Sequence, residues 1–396
     1  MQVLKLLHEL SAESLGDLHV SRRRSVWGAV GGLLRGRRCW LTHIGRSMDS
    51  AIAEKHSIKR VDRLLGNRTL CGERERWYQW LTGLLVSGSM HPVILVDWSN
   101  LDQRQEFFVL RAALAVGGRA VPLYEEVDSH YASVKAEKRF LRRLKAVLPP
   151  GCCPILVSDA GFRTPWLNNV ASMGWYYVGR IRHRHLVRAA NETDWSSNKR
   201  LYQRATARPK CLGSYWITKS RPLLTSLTLY KGKKRGRVCY TAFGKPARAR
   251  HTEKPSAAAR EPWLLASNLP KALHSAHRVV ALYRRRMQIE ESFRDMKSPR
   301  YGFALRENMG RNPQRIANLL LLCALATLAQ WLVGLVGLHS GLTKGLQANT
   351  ERRRPVLSVV FVGARLIEKR LAMCRSQLCE ALSSLRERAR MQIEPG

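Results

Sequence analysis

The feature that most constrains the fold of this 396-residue chain is a continuous apolar stretch, IANLLLLCALATLAQWLVGLVGL, at residues 316–338. A run of roughly 20 apolar residues is long enough to cross a bilayer. Polar side chains interrupt this run at Asn318, Thr327 and Gln330, and two glycines occur near its end. These features argue against a membrane span. We therefore predict that the stretch is a buried helix of a large domain and expect no membrane partner.

Short apolar runs bounded by turn residues predict strands upstream of this helix. HPVILVDWSN at 91–100 is followed by FFVLRAALAV and RAVPLYEEV, with glycines between the last two runs, and this pattern predicts consecutive strands. After a charged helical stretch at 133–147, PPGCCPILVSDAGF predicts another buried strand, and PWLLASNLP at 262–270 predicts a later one. Strands that alternate with helices indicate a mixed α/β domain.

The segments around this α/β core differ from it in composition. Residues 1–88 lack strand-like runs and carry basic helical spacing, which fits both a helical N-terminal DNA-binding domain and a plain basic helical bundle. Residues 183–260 are rich in Arg, Lys, Ser and Thr with short alternating stretches, which predicts a basic, β-rich insertion domain. Residues 341–396 are predicted to form a helical C-terminal region. The predicted core then consists of residues 89–182 and 261–340.

Charge indicates the class of partner. The chain has 68 Lys and Arg against 29 Asp and Glu, a formal net charge of +39, and its basic residues are spread along the whole sequence. Such a balance favours binding to a phosphate backbone, so nucleic acid is the predicted partner.

Cysteine usage and the first residues indicate the compartment. The nine cysteines include no C-x-x-C pair and no His spacing suited to zinc, so we expect reduced thiols. The N-terminal sequence MQVLKLLHEL is amphipathic and lacks the long apolar segment of a signal peptide. Together these features predict a cytoplasmic protein.

Two aspartates end predicted strands. Asp97 follows ILV and Asp159 follows ILVS, and residues at strand ends lie where the loops of open sheets carry function. A lone Asp after a strand is also a common turn former or helix cap. Each aspartate therefore has a structural and a functional interpretation.

A third acidic candidate lies in YRRRMQIEESFRDMK at 283–297. At about 100° per residue, a single helix over this segment brings four side chains into one arc of roughly 60°: Tyr283, Arg286, Glu290 and Lys297. Glu291 points away from that arc. An exposed helix with a chance pattern of charges is the alternative interpretation.

Two aspartates and a glutamate form a candidate site for hard divalent ions. In-line cleavage of a phosphodiester suits two metal ions, one that activates a water or 3′-hydroxyl and one that stabilises the leaving oxygen. Carboxylates without His or Cys favour Mg²⁺ or Mn²⁺ over Zn²⁺. We leave out Glu125, Glu126 and Asp128, because adjacent charges at a strand end are typical of an exposed edge. We also leave out Asp102, which lies five residues after Asp97 and follows a predicted turn.

These residues also match a known family. The pattern Y-x2-R-x3-E-x6-K at 283–297 resembles the signature of the DDE transposases of bacterial insertion sequences, in the family numbered four. Five further stretches extend the resemblance over most of the chain: LVDWS, SDAGFRTPW, GWYYVGRIR, EPWLLASNLP and MQIEESFRDMKSPRYG.

The resemblance implies a fold, a metal and a reaction. The fold is a ribonuclease-H-like catalytic core interrupted by a β-rich insertion, in which Asp97, Asp159 and Glu290 are the catalytic residues and bind two Mg²⁺ ions, with Mn²⁺ as a substitute. The reaction is cut-and-paste transposition: strand cleavage, a hairpin intermediate, and joining of the 3′ ends to target DNA. A non-catalytic DNA-binding protein and a nuclease without strand transfer remain the alternatives.

The resemblance also implies DNA-binding residues and partners. Tyr283, Arg286 and Lys297 resemble residues that hold phosphates near the cleaved end, and Trp263 resembles a tryptophan that stacks on a flipped base, although a core aromatic is its structural alternative. Arg163 and Arg180 are further candidates. The implied partners are double-stranded DNA, as terminal inverted repeats and target, a second copy of the chain in a synaptic complex, and host DNA-bending proteins.

Overall fold

The computed structural model describes residues 1–102, 104–182, 185–232, 261–348, 350–351 and 356–393. The helices are α1 (Gln2–Ser14), α2 (Val20–Gly36), α3 (Leu41–Arg46), α4 (Glu54–Leu65), α5 (Arg68–Val86), α6 (Val134–Val147), α7 (Thr164–Ser172), α8 (Lys199–Tyr202), α9 (Ala276–Arg285), α10 (Met287–Lys297), α11 (Pro313–His339), α12 (Val359–Glu368) and α13 (Arg375–Arg390). The strands are β1 (Val93–Asn100), β2 (Phe108–Ala115), β3 (Ala120–Asp128), β4 (Ile155–Ser158), β5 (Tyr176–Ile181), β6 (Leu186–Ala189), β7 (Ser196–Ser197), β8 (Lys210–Ile217), β9 (Leu223–Tyr230) and β10 (Trp263–Ser267).

The chain forms two compact units. The first unit consists of Met1–Pro154 and Arg285–Ile393, and the second contains Ile155–Arg284. Both units combine helices with strands, so the predicted mixed α/β class is confirmed. The apolar runs that predicted strands at residues 91–100 and 262–270 contain β1 and β10.

In the first unit, β3, β2 and β1 lie side by side in that order, and both pairs of strands are antiparallel. The register sets Asp97 of β1 opposite Arg111 of β2, and Arg111 opposite Glu125 of β3. Directly opposed residues of antiparallel strands point to the same face of the sheet.

In the second unit the strand order is β4, β5, β10, β9, β8, β6 and β7. Strands β4 and β5 are parallel, and the remaining neighbours are antiparallel. One of the short alternating stretches predicted for residues 183–260, SLTLY at 226–230, lies within β9. Residues 233–260, a large part of the predicted basic insertion, fall outside the described residues, as do residues 352–355.

The long apolar stretch forms α11, and 94% of its most apolar segment is buried within the protein. Asn312 caps the helix by accepting a hydrogen bond from the Arg315 amide at 3.1 Å, and Pro313 occupies its first turn, a position where proline costs no hydrogen bond. Asn318 is fully buried and donates to the Leu65 carbonyl at 2.9 Å. The prediction of a buried core helix is confirmed.

Two glycines allow α12 to pack tightly against α11. A Cβ atom at Gly334 would lie 2.0 Å from the Val359 carbonyl oxygen, and one at Gly363 would lie 1.9 Å from that of Gln330. Any side chain there would overlap backbone, so the close contact of these helices requires glycine at both positions.

The segment at 283–297 is two helices and not the single helix that we expected. Helix α9 ends at Arg285 and α10 starts at Met287. The Arg286 carbonyl bonds to the Ile289 amide at 3.2 Å, three residues on. Tyr283 and Glu290 therefore lie on different helices, although Arg286 between them keeps helical dihedral angles of φ −50° and ψ −32°.

Glu125 and Glu126 do not lie on an exposed edge, so that interpretation was wrong. Only 4% of Glu125 and 7% of Glu126 is exposed. Glu125 pairs with Arg111, and Glu126 pairs with Arg139 of α6 at 2.8 Å. Strand β3 carries both acids because arginines from neighbouring elements neutralise them, which a local sequence pattern cannot reveal.

Candidate active-site cleft

An open cleft of about 520 Å³ in the first unit contains two of the three predicted catalytic carboxylates. Asp97 comes from β1 and Glu290 from α10. The lining also includes hydroxyl and cationic side chains. The lining residues are Asp97, Ser99, Glu290, Phe293, Arg294, Lys297, Ser298, Pro299, Arg306 and Glu307.

Helix α10 is oriented by its apolar face. Ile289, Phe293 and Met296 are buried, and the helix packs against β1, β2 and β3. Glu290 and Lys297 border this face and line the cleft. The helix ends at Lys297 because Ser298 has the extended conformation that a residue before proline prefers.

Glu291 lies outside the cleft lining. Its carboxylate pairs with Arg119 at 3.4 Å and also with Arg294. Arg119 bonds to Asp295 as well, at 2.6 Å. Adjacent glutamates of one helix therefore have different environments, and Glu290 is the one that lines the cleft together with Asp97.

Glu290 forms an ion pair with Arg286, one helical turn earlier. Arg286 is 17% exposed at its side chain and Glu290 is 39% exposed. The guanidinium thus lies next to the candidate metal-binding carboxylate, where it can also contact a phosphate. The structure keeps this pair of predicted residues together although the helix breaks at Arg286.

Asp97 is half-buried within β1, which continues to Asn100, so the prediction that this aspartate ends the strand was wrong. Its Oδ1 atom accepts a hydrogen bond from the Trp98 amide at 2.9 Å. Its neighbour in the register is Arg111. The strand therefore holds the backbone of Asp97 in place, while its carboxylate lines the cleft.

Lys297 is a cation of the cleft with an altered pKa. Its Nζ atom donates to Ser99 Oγ at 2.6 Å and to Asn100 Oδ1 at 3.1 Å. Burial is the main cause that lowers its pKa from 10.5 to about 8; the charges of Arg306 and Arg111 act in the same direction, and Asp97 opposes them. An incoming phosphate would favour the charged form.

Asp159 lies in the second unit, directly after β4. It is half-buried, and its Oδ1 atom accepts a hydrogen bond from the Gly161 amide at 2.8 Å. This local bond is typical of a turn-forming aspartate. The first unit therefore brings together Asp97 and Glu290, and the role of Asp159 beside them stays a prediction.

Trp263 and Tyr283 pack together within the second unit. Their ring centres are 4.9 Å apart in an edge-to-face arrangement, and the ring centre of Tyr230 lies 5.6 Å from that of Trp263. Tyr283 is buried whereas Trp263 is half-buried. The contact stabilises β10 against α9, and the partial exposure leaves part of the indole accessible to a ligand.

The two further arginine candidates differ in environment. Arg180 of β5 pairs with Glu261 at 3.5 Å and is 12% exposed at its side chain. Arg163 precedes α7 and is exposed. Arg180 therefore has a clear structural role near the start of β10, while Arg163 presents its charge to solvent.

The chemistry of the cleft fits a hard divalent metal. Asp97 and Glu290 supply carboxylate oxygens, and the lining contains no His or Cys, a combination that suits Mg²⁺ or Mn²⁺ better than Zn²⁺. Within the described ranges, however, no three His, Cys, Asp or Glu side chains are grouped so that they could hold a metal ion. The donor types fit the metal, and the complete ligand set stays a prediction.

Sequence reasoning missed Arg111, which lies opposite Asp97 and is only 1% exposed. The signal was a single arginine in the middle of the apolar run FFVLRAALAV. A charged residue in a buried strand requires a partner, but its partner Glu125 lies on the next strand and cannot be identified from spacing.

Comparison with known families defines the class of the protein. Residues 88–329, more than half of the chain, match the family model described as transposase DDE domain. The chain therefore belongs to the DDE transposase domain family, and this membership supports a transposase that acts on DNA. The matched segment contains Asp97, Asp159 and Glu290. No curated protein has significant similarity to the chain.

Proposed function

We propose that the protein excises an insertion sequence and joins it to new DNA by a cut-and-paste mechanism. Water cleaves one strand at the element end, and the freed 3′-hydroxyl attacks the opposite strand to form a hairpin. A second water reopens the hairpin, and the 3′-hydroxyl then attacks target DNA. The observation that carries this proposal is that Asp97 and Glu290 line one cleft beside Lys297.

The proposed metal ligands are Asp97, Asp159 and Glu290. When bound, two Mg²⁺ ions, or Mn²⁺ as a substitute, would activate the attacking oxygen and stabilise the leaving oxygen. Asp97 is held by the amide of the next residue and Glu290 by its ion pair with Arg286. These contacts fix both carboxylates before metal and DNA arrive, which reduces the cost of ordering them.

The proposed DNA contacts surround these carboxylates in the sequence. Lys297 and Arg286 hold phosphates near the cleaved end. Lys297 lines the cleft together with Asp97 and Glu290, and Arg286 forms an ion pair with Glu290. Trp263 stacks on a base displaced from the helix, because its indole is only half-buried. We also assign DNA contacts to Tyr283, Arg163 and Arg180, with Arg163 supported by its exposure.

The finer architecture belongs to the same proposal. The core at residues 89–182 and 261–340 is ribonuclease-H-like, residues 183–260 are its insertion, and residues 1–88 bind the element ends. Residues 341–396 form the helical C-terminal region. Within the family, the signature and LQANT at 346–350 resemble the fourth insertion-sequence family and the transposase of transposon Tn-ten.

The proposed partners follow from the reaction. Two protomers hold two terminal inverted repeats in a synaptic complex, target DNA binds afterwards, and host DNA-bending proteins assist assembly. The formal charge of +39 supports extended contact with DNA. The protein then acts in the cytoplasm at the nucleoid, in keeping with the burial of its one described helix of membrane-spanning length.

The proposed function is tested with DNA from the ends of the element. The sequence that flanks the gene supplies the inverted repeats, and a labelled end fragment is incubated with the protein and Mg²⁺. Hairpins on a denaturing gel, followed by joined products when target DNA is added, are the expected result. Nicks without hairpins would indicate a nuclease without strand transfer, and binding without cleavage would indicate a non-catalytic DNA-binding protein.

A further inference from the structure

A buried ion pair lies beneath the helix that carries Glu290. Arg111 Nε donates to Glu125 Oε1 at 2.7 Å, and both side chains are 1% exposed. Tyr78 donates to the other carboxylate oxygen of Glu125 at 3.4 Å. Both charged groups are therefore removed from water and bonded within the protein.

Arg111 also contacts α10 directly. Its guanidinium carbon lies 4.2 Å from the centre of the Phe293 ring, and its Nη2 atom lies 2.9 Å from the sulfur of Met296. These two residues follow Glu290 by three and six positions and are two of the three buried apolar side chains of α10. The planar guanidinium thus forms the surface on which this helix packs.

The register links the same arginine to Asp97. Asp97, Arg111 and Glu125 are opposed on three neighbouring strands, so their side chains share the sheet face that α10 covers. One end of this row is a candidate metal ligand in the cleft, and the other end is the buried partner that holds Arg111. The row therefore connects the strand of Asp97 with the helix of Glu290.

Stability alone does not account for a buried pair at this position. Replacing a buried ion pair by apolar residues of similar volume often leaves the stability of a protein unchanged or raises it, because both charges of the pair lose their hydration on folding. What an apolar pair lacks is the fixed, planar group that bonds to Glu125 on one side and packs under Phe293 on the other.

We propose that Arg111, held by Glu125, is a positioning residue that sets the rotation of α10 so that Glu290 faces Asp97. This inference rests on the proposed metal-dependent cleavage. Arg111 touches neither metal nor DNA in this role. It acts through the packing of Phe293 and Met296, and the distance between the two carboxylates depends on it.

The test replaces the pair by apolar residues of similar size, in the double variant Arg111→Met/Glu125→Leu. The matched control is Arg139→Met/Glu126→Leu. Glu126 follows Glu125 on β3, and its partner Arg139 belongs to α6, so this ion pair joins β3 to α6 instead of α10. Thermal unfolding and binding to the end fragment are measured first. The rate of cleavage in a single turnover and the affinity for Mn²⁺ without DNA are measured next.

The expected result is that the first double variant folds and binds DNA within about twofold of the unchanged protein, but cleaves about 100-fold more slowly, the loss that a misplacement near 1 Å produces. Its Mn²⁺ affinity falls several-fold as well. The control variant keeps its cleavage rate and its Mn²⁺ affinity near those of the unchanged protein. A double variant with unchanged rate and Mn²⁺ affinity would overturn the inference.

Two further outcomes remain decisive. If the double variant does not fold, Arg111→Lys replaces it, since lysine keeps a charge for Glu125 but lacks the planar group; the same losses are expected, and unchanged values would overturn the inference. If the unchanged protein itself cleaves no end fragment, the proposed function fails. The Mn²⁺ affinities then still decide whether the pair positions the carboxylates.

Discussion

The cleft and strand β3 use the same residue types in opposite ways. In the cleft, Glu290 is 39% exposed and Lys297 has its pKa lowered to about 8. On β3, Glu125 and Glu126 are buried, each beside an arginine, and burial raises the pKa of Glu125 although Arg111 opposes this effect. Carboxylates that stabilise the scaffold are enclosed by their partners, whereas those of the cleft keep access for a ligand.

The largest expected effect is the loss of strand cleavage when a carboxylate of the cleft, and not of β3, is replaced. Asp97→Asn removes a charged metal ligand but keeps the size of the side chain. We expect strand cleavage to fall by about 1,000-fold, or ~4 kcal/mol of transition-state stabilisation, with little change in the melting temperature. Single-turnover cleavage of the end fragment measures the first quantity and calorimetry the second. A loss below tenfold would contradict the assignment of Asp97.

The second prediction concerns the scaffold. Arg111→Met alone leaves Glu125 buried without its partner, which costs about 3–5 kcal/mol in the free energy of unfolding. Urea denaturation followed by circular dichroism measures this loss. Glu290→Gln is the comparison, and we expect it to change stability by less than about 1 kcal/mol because its pair with Arg286 is partly exposed. Equal losses in both variants would remove the distinction between the regions.

The third prediction uses the pKa of Lys297. Because its pKa is about 8 in the folded protein against 10.5 for the free side chain, the unfolded chain holds more protons than the folded chain between these values. Stability from this group is therefore gained as pH rises through that window and is lost as pH falls through about 8. Denaturation of the unchanged protein and Lys297→Met at pH 7 to 10.5 should show a steeper rise for the unchanged protein. Parallel curves would contradict the burial of the ammonium group.

The smallest expected effect comes from Glu291, outside the cleft. Its pairs with Arg119 and Arg294 are partly exposed, and such pairs contribute about 0–1 kcal/mol. Glu291→Gln should therefore keep cleavage within about twofold and stability within about 1 kcal/mol. The same cleavage and denaturation measurements check this, and a large loss of cleavage would place Glu291 in the site.

The sequence predicts elements better than it predicts pairs. The strands at 91–100 and 262–270 and helix α11 have clear apolar patterns, because burial of these segments imposes those patterns. The break at Arg286 has no glycine or proline to mark it. The partner of Arg111 is equally hidden, since cross-strand neighbours are far apart in sequence. Local rules therefore select Asp97 and Glu290 as candidates but cannot show what holds them in place.

The most direct test of the central claim compares the adjacent glutamates of α10 in one assay. The labelled end fragment is incubated with Mg²⁺ and with either Glu290→Gln or Glu291→Gln, and binding and single-turnover cleavage are measured together. The expected result is that Glu290→Gln binds the fragment but does not cleave it, while Glu291→Gln cleaves within about twofold of the unchanged protein. Cleavage by Glu290→Gln at the unchanged rate, or equal losses in both variants, would contradict it.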